Sequence, residues 1–125
     1  MTTIKLLVAG SRSISDYEFI KASLDIVHSQ LQTENNSIEL VSGHAVGVDI
    51  LAERYAHQNN IPVVLFKPEY QGPRDYTAPL KRNVKMAEYA DLLVAFWDGK
   101  SKGTIHMIKE MQKRGKPVYL LQPNS

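Results

Sequence analysis

The stretch Ser42-Gly43-His44-Ala45-Val46-Gly47-Val48-Asp49 decides how this chain is read. It follows the short apolar run Ile38-Glu39-Leu40-Val41 and precedes a helical pattern from Ile50 to about His57. A strand, a glycine-bearing turn and a helix start are thus compressed into one segment. At such a turn the first backbone N–H groups of the helix lack partners within it, and the helix dipole adds partial positive charge. Small residues there let an anion approach the backbone closely. The segment is neither G-x-x-x-x-G-K-[ST] nor G-x-G-x-x-G. A turn that merely closes a strand–helix junction is the commoner use of such glycines, so the segment needs support from the rest of the chain.

Working outward, apolar runs and helical patterns alternate. Ile4 to Ala9 reads as a buried strand, ended by Gly10-Ser11-Arg12. Asp16 is placed to cap a helix to about Gln32, with Phe19, Ile20, Leu24, Val27 and Leu31 at three- and four-residue spacing. Thr33 to Ser37 is a polar loop, and Ile38 to Val41 is the second strand. The second helix runs from about Val46 to Gln58, stopped by Asn59-Asn60. Ile61 to Phe66 is a third strand, with Pro62 near its start, where proline is best tolerated. A long loop from Lys67 to Asp75 leads to a helix from about Ala78 to Tyr89. Leu92 to Trp97 is a fourth strand, the loop Asp98 to Gly103 follows, and a helix from about Thr104 to Lys113 ends at Gly115. Val118 to Leu121 is a fifth strand and Gln122 to Ser125 a tail.

Five apolar strands alternating with four helices predict an α/β domain: a doubly wound parallel five-stranded sheet with helices on both faces. Right-handed crossovers make 3-2-1-4-5 the expected strand order. Strands one and four are then neighbours at the switch point, where ligands bind beyond the strand carboxyl ends. The 125 residues are read as a single domain. With no cysteine, a disulfide framework, a thiol nucleophile and a Cys-based zinc site are excluded. No run approaches the roughly 18 apolar residues of a membrane span, and no leader pattern is present, so a cytoplasmic location is expected. The net charge of +2 does not suggest duplex binding.

Gly10, Gly43, Gly47, Gly72, Gly99 and Gly103 all follow the carboxyl end of a strand, and only Gly115 lies at the opposite end. Ser11, Arg12, Ser42, His44, Asp49, Arg74, Arg82, Asn83, Asp98, Ser101, Lys102 and Thr104 collect at the same edge. Backbone N–H groups, hydroxyls and cations suit a phosphorylated ligand, and carboxylates suit ribose hydroxyls. Each residue also has a plainer reading. Arg12 can be a solvated loop cation, and Asp49 a carboxylate that favours the helix dipole. Thr104 reads as an N-cap ahead of a ligand contact. Trp97 packs at a strand end rather than stacking on a base. Met86, Met107 and Met111 read as core. His44 and His106 lack a third partner at metal-ligand spacing, so no metal is expected, nor a cofactor.

Four motifs in order resemble the SLOG superfamily, and within it the small YspA/YpsA-like members. They are Gly10-Ser11-Arg12, Ser42-Gly43-x-Ala45-x-Gly47-x-Asp49, Arg82-Asn83-x-x-Met86 and Ser101-x-Gly103-Thr104. The superfamily includes LOG-type nucleoside-monophosphate phosphoribohydrolases and DNA-processing protein A. The resemblance implies a Rossmann-like domain that binds a nucleotide or an ADP-ribose-like ligand at this edge, in a protein that is often a homo-oligomer. The implied contacts are the motif residues together with His44 and Asp98.

In LOG enzymes a P-G-G-x-G-T-x-x-E segment binds phosphate and supplies a catalytic glutamate, assisted by an upstream arginine. Arg82 matches that arginine, and Gly103 and Thr104 match the G-T. The glutamate position is Met107, the opening is Gly99-Lys100-Ser101, and His44 stands at the second glycine of the usual pair. A thioether transfers no proton, so the expectation is binding or sensing without obligatory catalysis. The alternatives are LOG-type N-glycosidic cleavage by Arg82 with another carboxylate (Asp98, Asp49 or Glu110) and single-stranded DNA binding. The near-neutral charge and few loop aromatics weigh against nucleic acid.

Overall fold

The computed structural model describes residues 2–122, so the end of the tail read at Pro123 to Ser125 lies outside the described residues. Its elements follow in the order β1 (Thr2–Gly10), α1 (Tyr17–Leu31), β2 (Asn36–Ser42), α2 (Val48–Gln58), β3 (Val63–Leu65), α3 (Ala78–Tyr89), β4 (Leu92–Phe96), α4 (Lys102–Lys113) and β5 (Val118–Leu121). The strands form one sheet in the order β3-β2-β1-β4-β5. All four pairings are parallel. This is the doubly wound order expected from the alternation of strands and helices.

Both faces of the sheet are buried, which explains why the strands read as apolar runs rather than alternating ones. Leu6, Val8, Leu40, Val94 and Phe96 face Ile20 and Leu24 of α1 and Val48, Ala52 and Tyr55 of α2. Leu7, Ala9, Val41, Leu93 and Ala95 face Met86 of α3 and Met107, Ile108 and Met111 of α4. The three methionines are therefore core, as their helical spacing suggests.

Boundaries differ where side-chain chemistry or backbone conformation overrides the pattern. β1 and β2 are longer than their apolar runs, because Thr2 and Thr3 pair with Asn36 and Ser37 in register. β3 is shorter, although Leu40 N–H donates to Pro62 O at 2.8 Å and Phe66 N–H to Ser42 O at 2.8 Å, so pairing frays rather than stops. Helix α1 begins as expected, with Asp16 accepting from Phe19 N–H. Helix α2 begins two residues late, because Gly47 adopts φ +94° and only then does the chain turn helical. Helix α4 begins two residues early. Its cap is Ser101, not Thr104: Ser101 Oγ accepts from Thr104 N–H at 3.3 Å and lies 3.0 Å from the Thr104 hydroxyl. Gly115 has φ +69° just past α4, where it ends the helix.

Leu93 is fully buried at the centre of the face that carries α3 and α4. Leu93→Ala is expected to cost about 2–5 kcal/mol of stability, read as a lower urea midpoint. A loss near zero would mean that this face is not the packed core described.

Candidate functional site

The site originates in the pairing of β1 with β4, which runs to Gly10 opposite Phe96. Beyond that point the chain leaves β1 toward α1 on one face and leaves β4 toward α4 on the other. The divergence opens a cleft of about 530 Å³ at the carboxyl edge of the sheet. Gly10 sits at its root. A Cβ there would stand 2.5 Å from Phe96 O and 2.6 Å from Val48 Cγ2, so only glycine lets β4 and α2 close on this corner.

Of the residues expected at a ligand site, Gly10, Arg12, Ala45 and Asp49 line the cleft from the β1 and β2 side. Arg82 and Asn83 line it from α3, and Asp98, Ser101, Gly103 and Thr104 from the β4–α4 side. The floor is Ala9, Met86 and Met107, and the α3 rim is Pro79 and Leu80. Ser11, Ser42, Gly43, His44 and Gly47 do not line it. They hold the walls in place.

Arg82 organises one wall. Its Nη1 donates to Gly43 O at 2.7 Å, and its Nε donates to Asn83 Oδ1 at 3.0 Å. A longer Nη1 contact reaches Phe66 O at 3.5 Å. No bond engages Nη2 among the described residues. The two Nη2 N–H groups therefore remain for a ligand, charged donors that suit a phosphate oxygen. Burial pulls the Arg82 pKa down, and the nearby Asp49 carboxylate opposes that. Gly43 is the complement of this side chain: a Cβ there would sit 2.7 Å from Arg82 Nη1 and 3.1 Å from Asp49 Oδ2. The glycine of the turn makes room for an arginine of the same chain.

Asn83 extends the wall. Its amide lies 3.1 Å from His106 Nδ1, and a longer contact joins it to Gly103 O at 3.4 Å, tying α3 to the start of α4. Asp98 staples its own loop. It accepts from Lys100 N–H at 2.8 Å, Ser101 N–H at 2.9 Å and Ser13 Oγ at 2.7 Å. Led by the Ser13 hydroxyl, these donors hold its carboxyl well below the usual carboxylate range. Ser11 is fully buried, and its hydroxyl accepts from Asp98 N–H at 3.0 Å. Trp97 donates from its ring nitrogen to Ser101 O, in keeping with a packing role.

A second network, behind the turn, centres on Glu53, which sequence reasoning missed. Ser42 Oγ donates to Glu53 Oε2 at 2.7 Å, and His44 Nδ1 lies 2.9 Å from the same carboxylate. His44 N–H donates to Ser42 Oγ at 3.1 Å, and His44 itself adopts φ 59°. Glu53 stands one helical turn after Asp49, beside the buried Ala52 and Ala56. That placement of a carboxylate on a buried face was the available signal. Ser13 and Leu80, also missed, carried no pattern of their own.

Asp49 is the buried carboxylate of the cleft, 5% exposed in the first turn of α2. Its Oδ2 accepts a 3.3 Å bond from Ala45 N–H. Burial dominates that bond and the Arg82 charge, so its pKa is pushed up to about 6. Met107 occupies the cleft floor at 1% exposure. Glu110 does not reach the floor. It is bound to Arg114 at 2.9 Å and faces Lys113.

Residues 4–72 match the YspA, cpYpsA-related SLOG family. The chain belongs to this family. It is 30% identical over 120 residues to the Gene 61 protein of Mycobacterium phage D29, covering 91% of this chain and 93% of that one. Among solved structures, DNA processing protein A of Streptococcus pneumoniae superposes with a TM-score of 0.72 at 21% identity. The Helicobacter pylori counterpart, whose structure describes a single-stranded DNA binding mode, gives 0.70 at 21% identity. The chain is covered to 98% in both, but spans 51% of the first and 66% of the second. At that identity the likeness is one of fold.

The Asp49 carboxyl holds its proton more tightly in the folded protein than at its ordinary value of 3.8. Its contribution to stability is therefore fully present below that value and lost as pH rises through about 6. Asp49→Asn is expected to leave stability near pH 4 unchanged and to raise it at pH 8 by up to about 3 kcal/mol. Urea unfolding at the two pH values reads the difference. An equal effect at both would show that the carboxyl titrates normally.

Proposed function

We propose that this SLOG-family protein binds or senses a nucleotide or nucleotide-derived ligand, such as an ADP-ribose-like molecule, without turning it over. The observation that carries this reading is the half-buried Arg82 guanidinium, fixed by Gly43 O and Asn83 with Nη2 left open, beside a cleft at the sheet switch point. Helices α2 and α3 add to it. Neither has a side-chain cap at its N-terminus, whereas α1 and α4 are capped by Asp16 and Ser101. Ala45 and Asp49 bring the α2 end, and Pro79 and Leu80 the α3 end, onto the cleft. Uncapped N–H groups and two positive dipole ends favour an anion there.

Met107 supports binding over N-glycosidic cleavage, because the motif position for a catalytic glutamate is a thioether on the floor. Asp49 is the carboxylate that a hydrolase would have to use, since the Asp98 oxygens already serve Ser13, Lys100 and Ser101. Single-stranded DNA binding is the second reading. It gains from the fold shared with DNA processing protein A and from two loop tyrosines, Tyr70 and Tyr76, exposed to 61% and 80%. Those tyrosines remove one of the grounds for setting nucleic acid aside. Among the described residues no helix is long and apolar enough to cross a membrane. Ile26 of α1 and Tyr119 of the edge strand β5, both exposed, line one apolar groove that would suit the homo-oligomer that the family resemblance implies.

Calorimetric titration with AMP tests the reading. Arg82→Ala should weaken AMP binding by about 1.5–3 kcal/mol, the size of a lost charge-assisted hydrogen bond. Gly43→Ala, which keeps the arginine but intrudes on its guanidinium, should weaken binding in the same direction. Unchanged affinity in both folded variants would reduce Arg82 to a wall support. Incubation of the native protein with AMP should release no adenine on chromatography. Arg82-dependent release would promote the hydrolase.

A further inference from the structure

A second cleft, of about 350 Å³, lies on the other side of Arg82. Arg82 lines both, so the two clefts are neighbours across one guanidinium. The second is lined by Lys67 from the loop after β3 and by Lys81 and Lys85 from α3, with Glu69 as its acidic member. Lys81 and Lys85 are four residues apart and so share a helix face. None of the three lysines makes an ion pair within 4.0 Å among the described residues, in contrast to Lys21, Lys113 and Arg114. Ala78, the first residue of the uncapped helix α3, also lines the second cleft, while Pro79 and Leu80 line the first. Tyr70, 61% exposed, lies in the loop that supplies Lys67 and Glu69.

Three lysines without an ion-pair partner around one concavity give it a positive potential that favours an anion, with Glu69 the one opposing charge. The first cleft already provides the open Arg82 Nη2 and an apolar floor for one nucleotide. Building on that reading, we infer that the second cleft is a phosphate subsite, and that the ligand carries two phosphate centres joined through a nucleoside, one on each side of Arg82. The shared chemistry is that of phosphodiester-linked nucleotides, whether a small linear dinucleotide or a stretch of single strand. The exposed Tyr70 and Tyr76 supply faces on which a base between the two phosphates can stack.

The test titrates dAMP, the 5′-phosphorylated dinucleotide pdApdA and a long deoxyadenylate single strand into native protein and a Lys81→Ala/Lys85→Ala variant. Both lysines are exposed and the variant should fold, which circular dichroism checks. The native protein is expected to bind pdApdA about tenfold more tightly than dAMP, and the variant to lose about that factor for pdApdA alone. A Lys109→Ala/Lys113→Ala variant, which removes the same charge from α4, should leave pdApdA binding unchanged. Equal native affinity for dAMP and pdApdA, equal losses for dAMP and pdApdA in the first variant, or an equal loss in the α4 variant would each overturn the second subsite. Binding of dAMP by the native protein in those same experiments would leave the one-nucleotide reading standing. No binding of any probe would overturn both. A single strand that binds more tightly than pdApdA, with the same dependence on Lys81 and Lys85, assigns the source to a polynucleotide. Equal affinity assigns it to the dinucleotide.

Discussion

The pairing of β1 with β4 is the constraint on which the rest of this molecule depends. Two strands separated by most of the chain lie side by side, from Leu6 opposite Leu92 to Gly10 opposite Phe96. Because each continues to a helix on a different face, the peptide planes beyond them splay apart. The cleft therefore follows from the winding of the sheet rather than from any loop of special shape. What the loops contribute is rigidity. Ser11 and Ser13 from the β1 side bond to Asp98 from the β4 side, so the two banks are pinned to each other at the bottom.

Two carboxylates are spent on this pinning. Asp98 gathers the backbone of Lys100 and Ser101, and Glu53 gathers Ser42 and His44. Each accepts several directed donors, Glu53 at a buried position and Asp98 in an exposed loop. Asp49 differs. Its one 3.3 Å bond from Ala45 is long, and burial outweighs it together with the Arg82 charge. The cleft thus keeps one carboxylate that is poorly satisfied and one arginine with an open nitrogen. Arg12, exposed, also lines the cleft, and among the described residues no hydrogen bond or ion pair engages it.

That division explains how far the sequence could be read. Apolar runs of four to six residues between helical patterns were enough for the element order and the strand order, because a sheet buried on both faces leaves little ambiguity. The switch point followed from the order. Within the site, the motif residues marked the walls, but their roles were less legible. Glycine at position 43 looks the same whether it admits a phosphate or, as the structure shows, a guanidinium from a residue 39 positions away. Serine before a glycine turn looks the same whether its hydroxyl points at a ligand or at Glu53. Spacing records which backbone must be approached closely. It does not record by what, because the approaching group comes from a distant part of the chain. Thr104 illustrates the same limit at short range: Ser101 and Thr104 both suit a cap, and only the observed start of α4 at Lys102 separates them.

The floor of the cleft shows what the proposed binding reading asks of the fold. Met86 and Met107 come from different helices and meet on the face of the sheet that carries Ala9. A glutamate at position 107 would be a carboxylate at 1% exposure, set in an apolar cluster with Met86, Met111 and Leu93. Such a group is costly to bury unless a ligand or a cation repays it. A thioether has no such cost. It packs with the core when the cleft is empty and makes favourable contacts with an aromatic ring when one is present. On the proposed reading, the same position trades a charge that could stabilise a reacting sugar for an apolar floor. In that reading, Arg82 at one wall recognises phosphate and the polarisable floor below receives the rest of the ligand. Asp49, the cleft carboxyl whose pKa burial raises, lies beside the arginine.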